Sequence, residues 1–435
     1  MNTELLAKPV LLMRAAELLN LIFEQNLPAD RQMERFFRQH RNMGSKDRGF
    51  TAETVYGVLR RKASLKYLLS QLIPDRELLS RDYILGYLHL YGGYSLRALT
   101  QAGWRDYPYD ILESLRSRAA EPLPAAVQAE LPEALYQQFC AKWGETETLS
   151  LAAALNRAAS LDLRVNTLKT DRNTLQATLA AENIHVEATP YSPVGLRRLQ
   201  RAALFNSPSF RQGLFEVQDE GSQLMAYLLQ LKRRGKVVDL CAGAGGKTLH
   251  ISALMENTGT IYAFDIHAKR LDQLSLRLKR AGLDNVRVQL LENLPDAQER
   301  PSLLALVGKM DAVLVDAPCS GTGTLRRNPD MKWKPLELAP LTQLQTQLLQ
   351  SAASLLRPGG RLVYATCSLL SQENESVVTA FLEAHPEFVL INAPEILEQQ
   401  GIFIPSCGNS LGMLQLRPDL HSTDGFTAAV MVRQV

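Results

Sequence analysis

Residues 310–330 read MDAVLVDAPCSGTGTLRRNPD. The apolar run from Asp311 to Val315 has the length and composition of a buried strand. It breaks at Asp316-Ala317-Pro318-Cys319, because proline lacks the N–H that a central strand needs. The chain then passes through the small, flexible residues Ser320-Gly321-Thr322-Gly323 and ends in the basic pair Arg326 and Arg327. An acid and a thiol at the tip of a core strand, followed by glycines and arginines, set reactive groups beside something anionic.

Outward from this strand, residues from about 216 alternate strand and helix. Strands are predicted at Val237 to Cys241, Thr260 to Asp265, Val286 to Leu290, Asp311 to Val315 and Arg361 to Thr366. Helices are predicted at Gly221 to Leu231, Lys247 to Met255, Ala268 to Ala281, Leu336 to Leu356 and Glu373 to Ala384. Near-continuous apolar strands between helices imply a parallel sheet covered on both faces. The predicted fold of 216–435 is therefore an α/β, doubly wound, Rossmann-like domain.

The first of these strands runs into Asp239-Leu-Cys241-Ala242-Gly243-Ala244-Gly245-Gly246-Lys247-Thr248. Small residues there let the backbone approach a ligand, and the helix N-terminus favours anionic or polar groups. A Walker A loop needs glycine where Cys241 stands, and a dinucleotide fingerprint needs a third glycine where Thr248 stands. An adenosine-type methyl-donor site fits better, with Asp265 placed at the next strand end to accept from the ribose hydroxyls.

Upstream, residues 1–140 read as helix. Leu11, Leu12, Ala15, Leu18, Leu19 and Ile22 form one apolar stripe, and later helices are predicted at Phe50 to Ile73, Glu77 to Leu90 and Ser95 to Trp104. Arg48, Arg60, Arg61 and Lys62 make this region locally basic, although a short basic run is usually a solvated face. A proline-bearing linker leads to a small α+β segment at 150–215. Strands are predicted there at Leu161 to Lys169, Val186 to Thr189 and Arg197 to Phe205, with a helix over 171–183.

The chain has 435 residues and a net charge of only +3, so bulk charge does not argue for nucleic acid and local clusters must carry any such case. Its cysteines are Cys140, Cys241, Cys319, Cys367 and Cys407. No pair has zinc-site spacing and the histidines are scattered, so no metal is expected. Free thiols point to a reducing compartment. The charged N-terminus makes a poor signal peptide, and no apolar window spans a membrane; a cytoplasmic monomer is expected.

Arg361-Leu-Val-Tyr-Ala-Thr366-Cys367-Ser368 repeats the opening pattern of an apolar strand ending in cysteine beside a hydroxyl residue. In a doubly wound sheet the two strands are neighbours, and the ligand crevice lies at their C-terminal edge. Asp239, Asp265, Asp316, Cys319 and Cys367 are thus expected to converge on one cleft. Which cysteine would be the nucleophile stays open on these residues alone.

Five further motifs stand with the DAPCSGTG of 316–323. They are RNPDMKW at 327–333, YATCS at 364–368, LRVNTLK at 163–169, VQDEGSQ at 217–223 and TDGF at 423–426. Together they resemble the Nol/Nop/Sun family of RNA 5-methylcytosine methyltransferases, from about residue 160 to the end. KDRGF at 46–50 and YGVLR at 56–60 resemble the NusB-like domain fused to bacterial 16S ribosomal RNA methylases. The resemblance implies an S-adenosylmethionine-dependent methyltransferase fold, a helical RNA-binding domain at 1–140 and an RRM-like subdomain at 150–215. It makes Cys367 the nucleophile, Cys319 the cysteine that aids release, and Asp316 the acid at the base. It places S-adenosylmethionine on Cys241 to Lys247, Asp265, Asp316 and an acid after the third strand. The nearest match for that last acid is Glu292, where the family carries aspartate.

The implied chemistry needs two thiols. Carbon 5 of cytosine is a poor nucleophile until a thiolate adds to carbon 6; afterwards the carbon 5 proton must leave and the thiol must be expelled. Arg326, Arg327, Lys332, Lys334, Arg197, Arg198 and Arg201 are the candidate phosphate contacts. Trp333 suits a stacked base and a core position equally. Ribosomal RNA is the expected substrate. A transfer RNA methylase and a catalytically inactive RNA-binding assembly factor are the alternatives, the latter disfavoured by the intact cysteines, Asp316 and glycine turn.

Overall fold

The computed structural model describes residues 8–25, 27–200, 204–291 and 301–435. Glu292 and Arg201 lie outside the described residues. The chain divides into two compact units, one of residues 1–158 with 325–335, the other of 159–324 with 336–435.

The first unit is helical. Helix Pro9–Glu24 starts with proline in its first turn, where the missing N–H costs nothing, and buries the predicted stripe from Leu11 to Ile22. The single helix expected over Phe50 to Ile73 is two, Ser45–Arg60 and Lys62–Leu72. Buried Glu130 explains the break. Its carboxylate accepts from Ala63 N at 3.0 Å, Ser64 N at 3.2 Å and the Ser64 hydroxyl, so the new N-terminus has its amides satisfied by an anion. Helix continues past 140 as Glu133–Trp143 and Glu145–Leu155.

Residues 325–335, assigned by sequence to the catalytic domain, complete this helical unit. Asp330 Oδ2 accepts from Ala29 N at 3.2 Å, at the start of helix Ala29–Gln39. Trp333 Nε1 donates to Leu59 O at 2.7 Å. Its indole packs against the unit's core, so the equal choice between base and core resolves toward core. Lys332 Nζ donates to Asn156 Oδ1 at 2.6 Å and Arg60 O at 3.2 Å.

Lys332 is 3% exposed. Burial carries it from its ordinary value down to about 7, with Glu130 pulling upward and Arg60 and Arg61 downward. In the unfolded chain it keeps an ammonium value of about 10.4. Between pH 7 and about 10 the unfolded state therefore binds more protons here than the folded state, and stability rises with pH. Below pH 7 both states are protonated and the folded protein bears the full cost of the buried charge. The unfolding free energy of wild type relative to Lys332→Met is expected to rise from about pH 7 to about pH 9. The slope should be at most about 1.4 kcal/mol per pH unit in denaturant titrations. A difference that does not move with pH would rule out titration of this amine in that window.

The second unit carries two sheets. In the small one, β1 (Asp162–Val165), β2 (Val186–Ala188), β3 (Gly195–Arg198) and β4 (Phe215–Val217) pair antiparallel in the order β2-β3-β1-β4. Asp171 caps helix Arg172–Ala181, accepting from Asn173 N and Thr174 N. The strand expected over Arg197 to Phe205 ends at Arg198, and Leu204–Asn206 is a 3₁₀ turn. Strand β4 crosses the expected boundary at 215/216 because Val217 pairs with Leu163 of β1.

The expected doubly wound sheet is present. Its strands are β5 (Lys236–Asp239), β6 (Thr260–Asp265), β7 (Val286–Leu290), β8 (Met310–Asp316), β9 (Leu356–Thr366), β10 (Phe388–Ile391), β11 (Leu414–Leu416) and β12 (Phe426–Arg433), ordered β10-β12-β9-β8-β5-β6-β7 with β11 on β12. Strands β5 to β9 run parallel, and β12 runs against β9. Strand order reverses at β5, between β8 and β6, which opens a crevice at the C-terminal edge.

Candidate active site

Register fixes which strand ends meet. Asp239 of β5 lies level with Ala263 of β6 and Leu314 of β8, and Asp316 of β8 lies level with Ala365 of β9. The turn after β5 is bent by Gly243 (φ +57°) and Gly245 (φ +85°). A Cβ at Gly245 would stand 2.1 Å from Leu274 Cδ1, so that glycine is required by packing. A Cβ at Gly243 would meet nothing within 4 Å, so that side of the turn is open to a ligand. Asp265 braces the turn: Oδ2 accepts from Gly243 N at 2.8 Å and Oδ1 from His267 N at 2.8 Å.

Sequence reading missed the residue beneath this turn. Buried Arg164 donates from Nη1 to Gly246 O and to Gln218 Oε1, each at 2.5 Å. Arg277 Nη1 holds Ala244 O at 2.7 Å. The turn's carbonyls are thus occupied from behind. Only the LRVNTLK and VQDEGSQ motifs hinted at this, as stretches of unassigned role.

Asp239 lies behind the cleft rather than in it. It is buried, accepts from Thr248 Oγ1 at 2.6 Å, and burial pushes it up to about 7, helped by the charges of Asp316 and Asp265. Burial, with the same three carboxylates, also pushes the Cys241 thiol well up, which suits a neutral wall of the turn. Lys247 Nζ meets Asp316 Oδ2 at 2.6 Å. Burial pulls this ammonium down, but Asp316 outweighs it and the net shift is upward. Asp316 is thereby held toward the cleft by a fixed cation.

Cys319 Sγ and Cys367 Sγ stand 3.4 Å apart. The contact with Cys367 first, and burial second, push the Cys319 thiol well up. The loops carrying the cysteines are locked together. Gly323 N donates to Cys367 O, and Gly425 N to Gly323 O, both at 2.8 Å. A Cβ on Gly323 would lie 2.2 Å from Gly425 O, so only glycine fits.

The link that sequence reading missed is Glu373, which is 0% exposed. Its Oε1 accepts from Ser320 N at 2.8 Å and Gln345 Nε2 at 3.1 Å. Its Oε2 accepts from the hydroxyls of Ser320 and Ser368. One buried carboxylate therefore ties the residue after Cys319 to the residue after Cys367. No local signal marks it; it reads as the start of a helix.

The basic candidates divide. Arg326 and Lys332 are buried, 6% and 3% exposed, within the helical unit, and burial removes them from the phosphate contacts. Arg197 is spent on Asp162, with bonds of 2.8 and 3.1 Å, and lies 3.7 Å from Glu220; it too is structural. Lys334 pairs with Asp330 at 3.5 Å. Arg198 and Arg327 are half-buried. Arg60 is half-buried over Tyr56, Arg61 over Tyr91 and Lys62 over Phe23. Among the described residues no cluster could hold a metal ion, and no helix is long and apolar enough to cross a membrane.

Residues 226–432 match the family described as 16S rRNA methyltransferase RsmB/F, and residues 131–203 match the ferredoxin-like domain of RsmF/B-like methyltransferases. A probable ribosomal RNA small subunit methyltransferase B from Synechocystis sp. is 34% identical, over 92% of this chain and 94% of that one. The Bacillus subtilis protein described in the same words is 29% identical, over 93% and 94%. The crystal structure of PH0851 is 26% identical with a TM-score of 0.79, covering 99% of this chain and 100% of that one.

Proposed function

The chain belongs to the RsmB/F family of 16S rRNA methyltransferases, and from that premise we propose that it methylates carbon 5 of a cytosine in small-subunit ribosomal RNA. The observation that carries this reading is the pair of thiols 3.4 Å apart at the ends of adjacent strands, with Asp316 on one of them. S-adenosylmethionine supplies the electrophilic methyl group when bound, and the open Gly243 turn with Asp265 fits its adenosine and ribose. Cys241 to Lys247 would line it.

Cys367 adds to carbon 6, forming the C–S bond and pushing electron density toward carbon 5 and N3. As charge builds on the ring, N3 takes a proton through the Asp316 carboxyl, which is resupplied by the Lys247 ammonium bonded to it. The attacking role goes to Cys367 and the releasing role to Cys319 because their TCS and PCS motifs match those of the family. Once carbon 5 carries the methyl group, its proton passes to solvent water and the C5–C6 double bond re-forms as the C–S bond breaks, N3 returning its proton to Asp316 and Cys319 standing 3.4 Å from the departing sulfur to assist. The base must be unstacked to reach the sulfur at the sheet edge.

The test is methyl transfer from labelled S-adenosylmethionine to 16S rRNA lacking this modification, followed by mapping. Label at carbon 5 of one cytosine is expected. Label on a ribose or a ring nitrogen, or in transfer RNA alone, would overturn the reading.

A further inference from the structure

Helix Ala29–Gln39 buries Ala29, Gln32, Met33 and Phe36 on one face. Its other face carries Arg31, Arg35 and Arg38 at helical spacing, and Arg41 follows the helix end. Residues 29–48 hold six cationic side chains against three carboxylates, although the whole chain is only +3. The carboxylates are engaged locally. Asp30 accepts from Arg31 N, Glu34 pairs with Arg38, and Asp47 pairs with Lys8. Among the described residues, no ion pair or side-chain hydrogen bond engages the exposed guanidiniums of Arg31, Arg35 and Arg41.

Beside this row lies a cleft of about 400 Å³ lined by Glu34, Phe37, Arg38, Arg41 and Arg48. The half-buried Phe37 ring has the Arg48 guanidinium 6.0 Å from its centroid. Arg48 is fixed in turn by its bond to Met43 O at 2.9 Å. Cations spaced along a helix face, next to a half-buried aromatic ring that packs on the core and lines a cleft, form an electrostatic track with a stacking platform.

The geometry points to this face of the helical unit as the docking surface for a single-stranded segment of the ribosomal RNA substrate: Arg31, Arg35 and Arg41 neutralise phosphates and Phe37 stacks an unpaired base. This rests on the RNA reading above. It also moves the contact away from Arg60, Arg61 and Lys62, whose side chains are half-buried against tyrosine and phenylalanine rings.

Binding of full-length protein to in vitro transcribed 16S rRNA, measured over a salt series, tests it. The variant Arg31→Gln/Arg35→Gln/Arg41→Gln should lose about 2 from the slope of log affinity against log salt, at about 0.7 per single-strand phosphate. The corresponding triple lysine variant should keep the slope. Phe37→Leu should weaken binding about ten-fold or more with the slope unchanged. In methyl transfer, the glutamine variant should raise KM and leave kcat in place. A wild-type salt slope in the glutamine variant, as an acidic protein partner for this face would give, overturns the proposal, as does loss of slope in the lysine variant. Binding is read without turnover, so an absence of methyl transfer would count against the reaction assigned above and not against this surface.

Discussion

Cys319→Ala protein, incubated with unmodified rRNA and S-adenosylmethionine, is expected to accumulate a covalent protein–RNA adduct that survives denaturing electrophoresis. Cys367→Ala should form none, and its methyl transfer should fall by about 10⁴-fold or more, as when an attacking nucleophile is removed. The asymmetry follows from the roles that the family resemblance gives the two cysteines. The two sulfurs stand 3.4 Å apart, close enough for one to act on an adduct held by the other. Removing Cys319 takes away the partner needed to resolve the adduct but spares the sulfur that makes it. An adduct that required Cys319 and survived the loss of Cys367 would reverse the assignment.

That pair is legible in the sequence because strand ends in a parallel sheet are ordered by topology, and both cysteines follow apolar runs. Helix Ala268–Ala281 was legible to both ends for a local reason: Leu271, Leu274 and Leu278 keep helical spacing, and Gly282 ends it in the left-handed region. Strand β12 carried no such mark. Phe-Thr-Ala-Ala-Val-Met-Val-Arg is an unbroken apolar run, which strand and buried helix share, and its antiparallel pairing with β9 is a long-range fact. Charge misled for the same reason. Arg326 and Lys332 read as surface cations, yet their burial is decided by helices more than 150 residues away in sequence, through Asn156 and Arg60. The arginine row at 31 to 41 is hidden in the sequence because interleaved Glu34 and Phe37 blur it until the helix separates its faces.

Glu373→Gln is expected to cost both stability and rate, though Glu373 touches no substrate atom in the scheme above. Glutamine has the same shape, so no cavity forms. Its amide nitrogen cannot accept, however, and the carboxylate it replaces accepts four bonds in a fully buried place. Whichever way the amide turns, it faces donors: the Ser320 and Ser368 hydroxyls on one side, or Ser320 N and Gln345 Nε2 on the other. Bonds to a charged acceptor contribute about 1.5–3 kcal/mol each, so loss of two predicts about 3 kcal/mol in denaturant unfolding even after hydroxyl reorientation. The kinetic cost follows from position. Ser320 adjoins Cys319 and Ser368 adjoins Cys367, so loosening this carboxylate frees both sulfur-bearing turns. A misplacement of about 1 Å costs about 100-fold in rate. Asp265 and the Gly243 turn lie on other strands, so S-adenosylmethionine affinity should stay near wild type while kcat falls about 100-fold. Equal loss of cofactor affinity and rate would show instead that the whole sheet edge had collapsed. A wild-type kcat would mean that the sulfurs are positioned by β8 and β9 alone, with Glu373 no more than a filler between their loops.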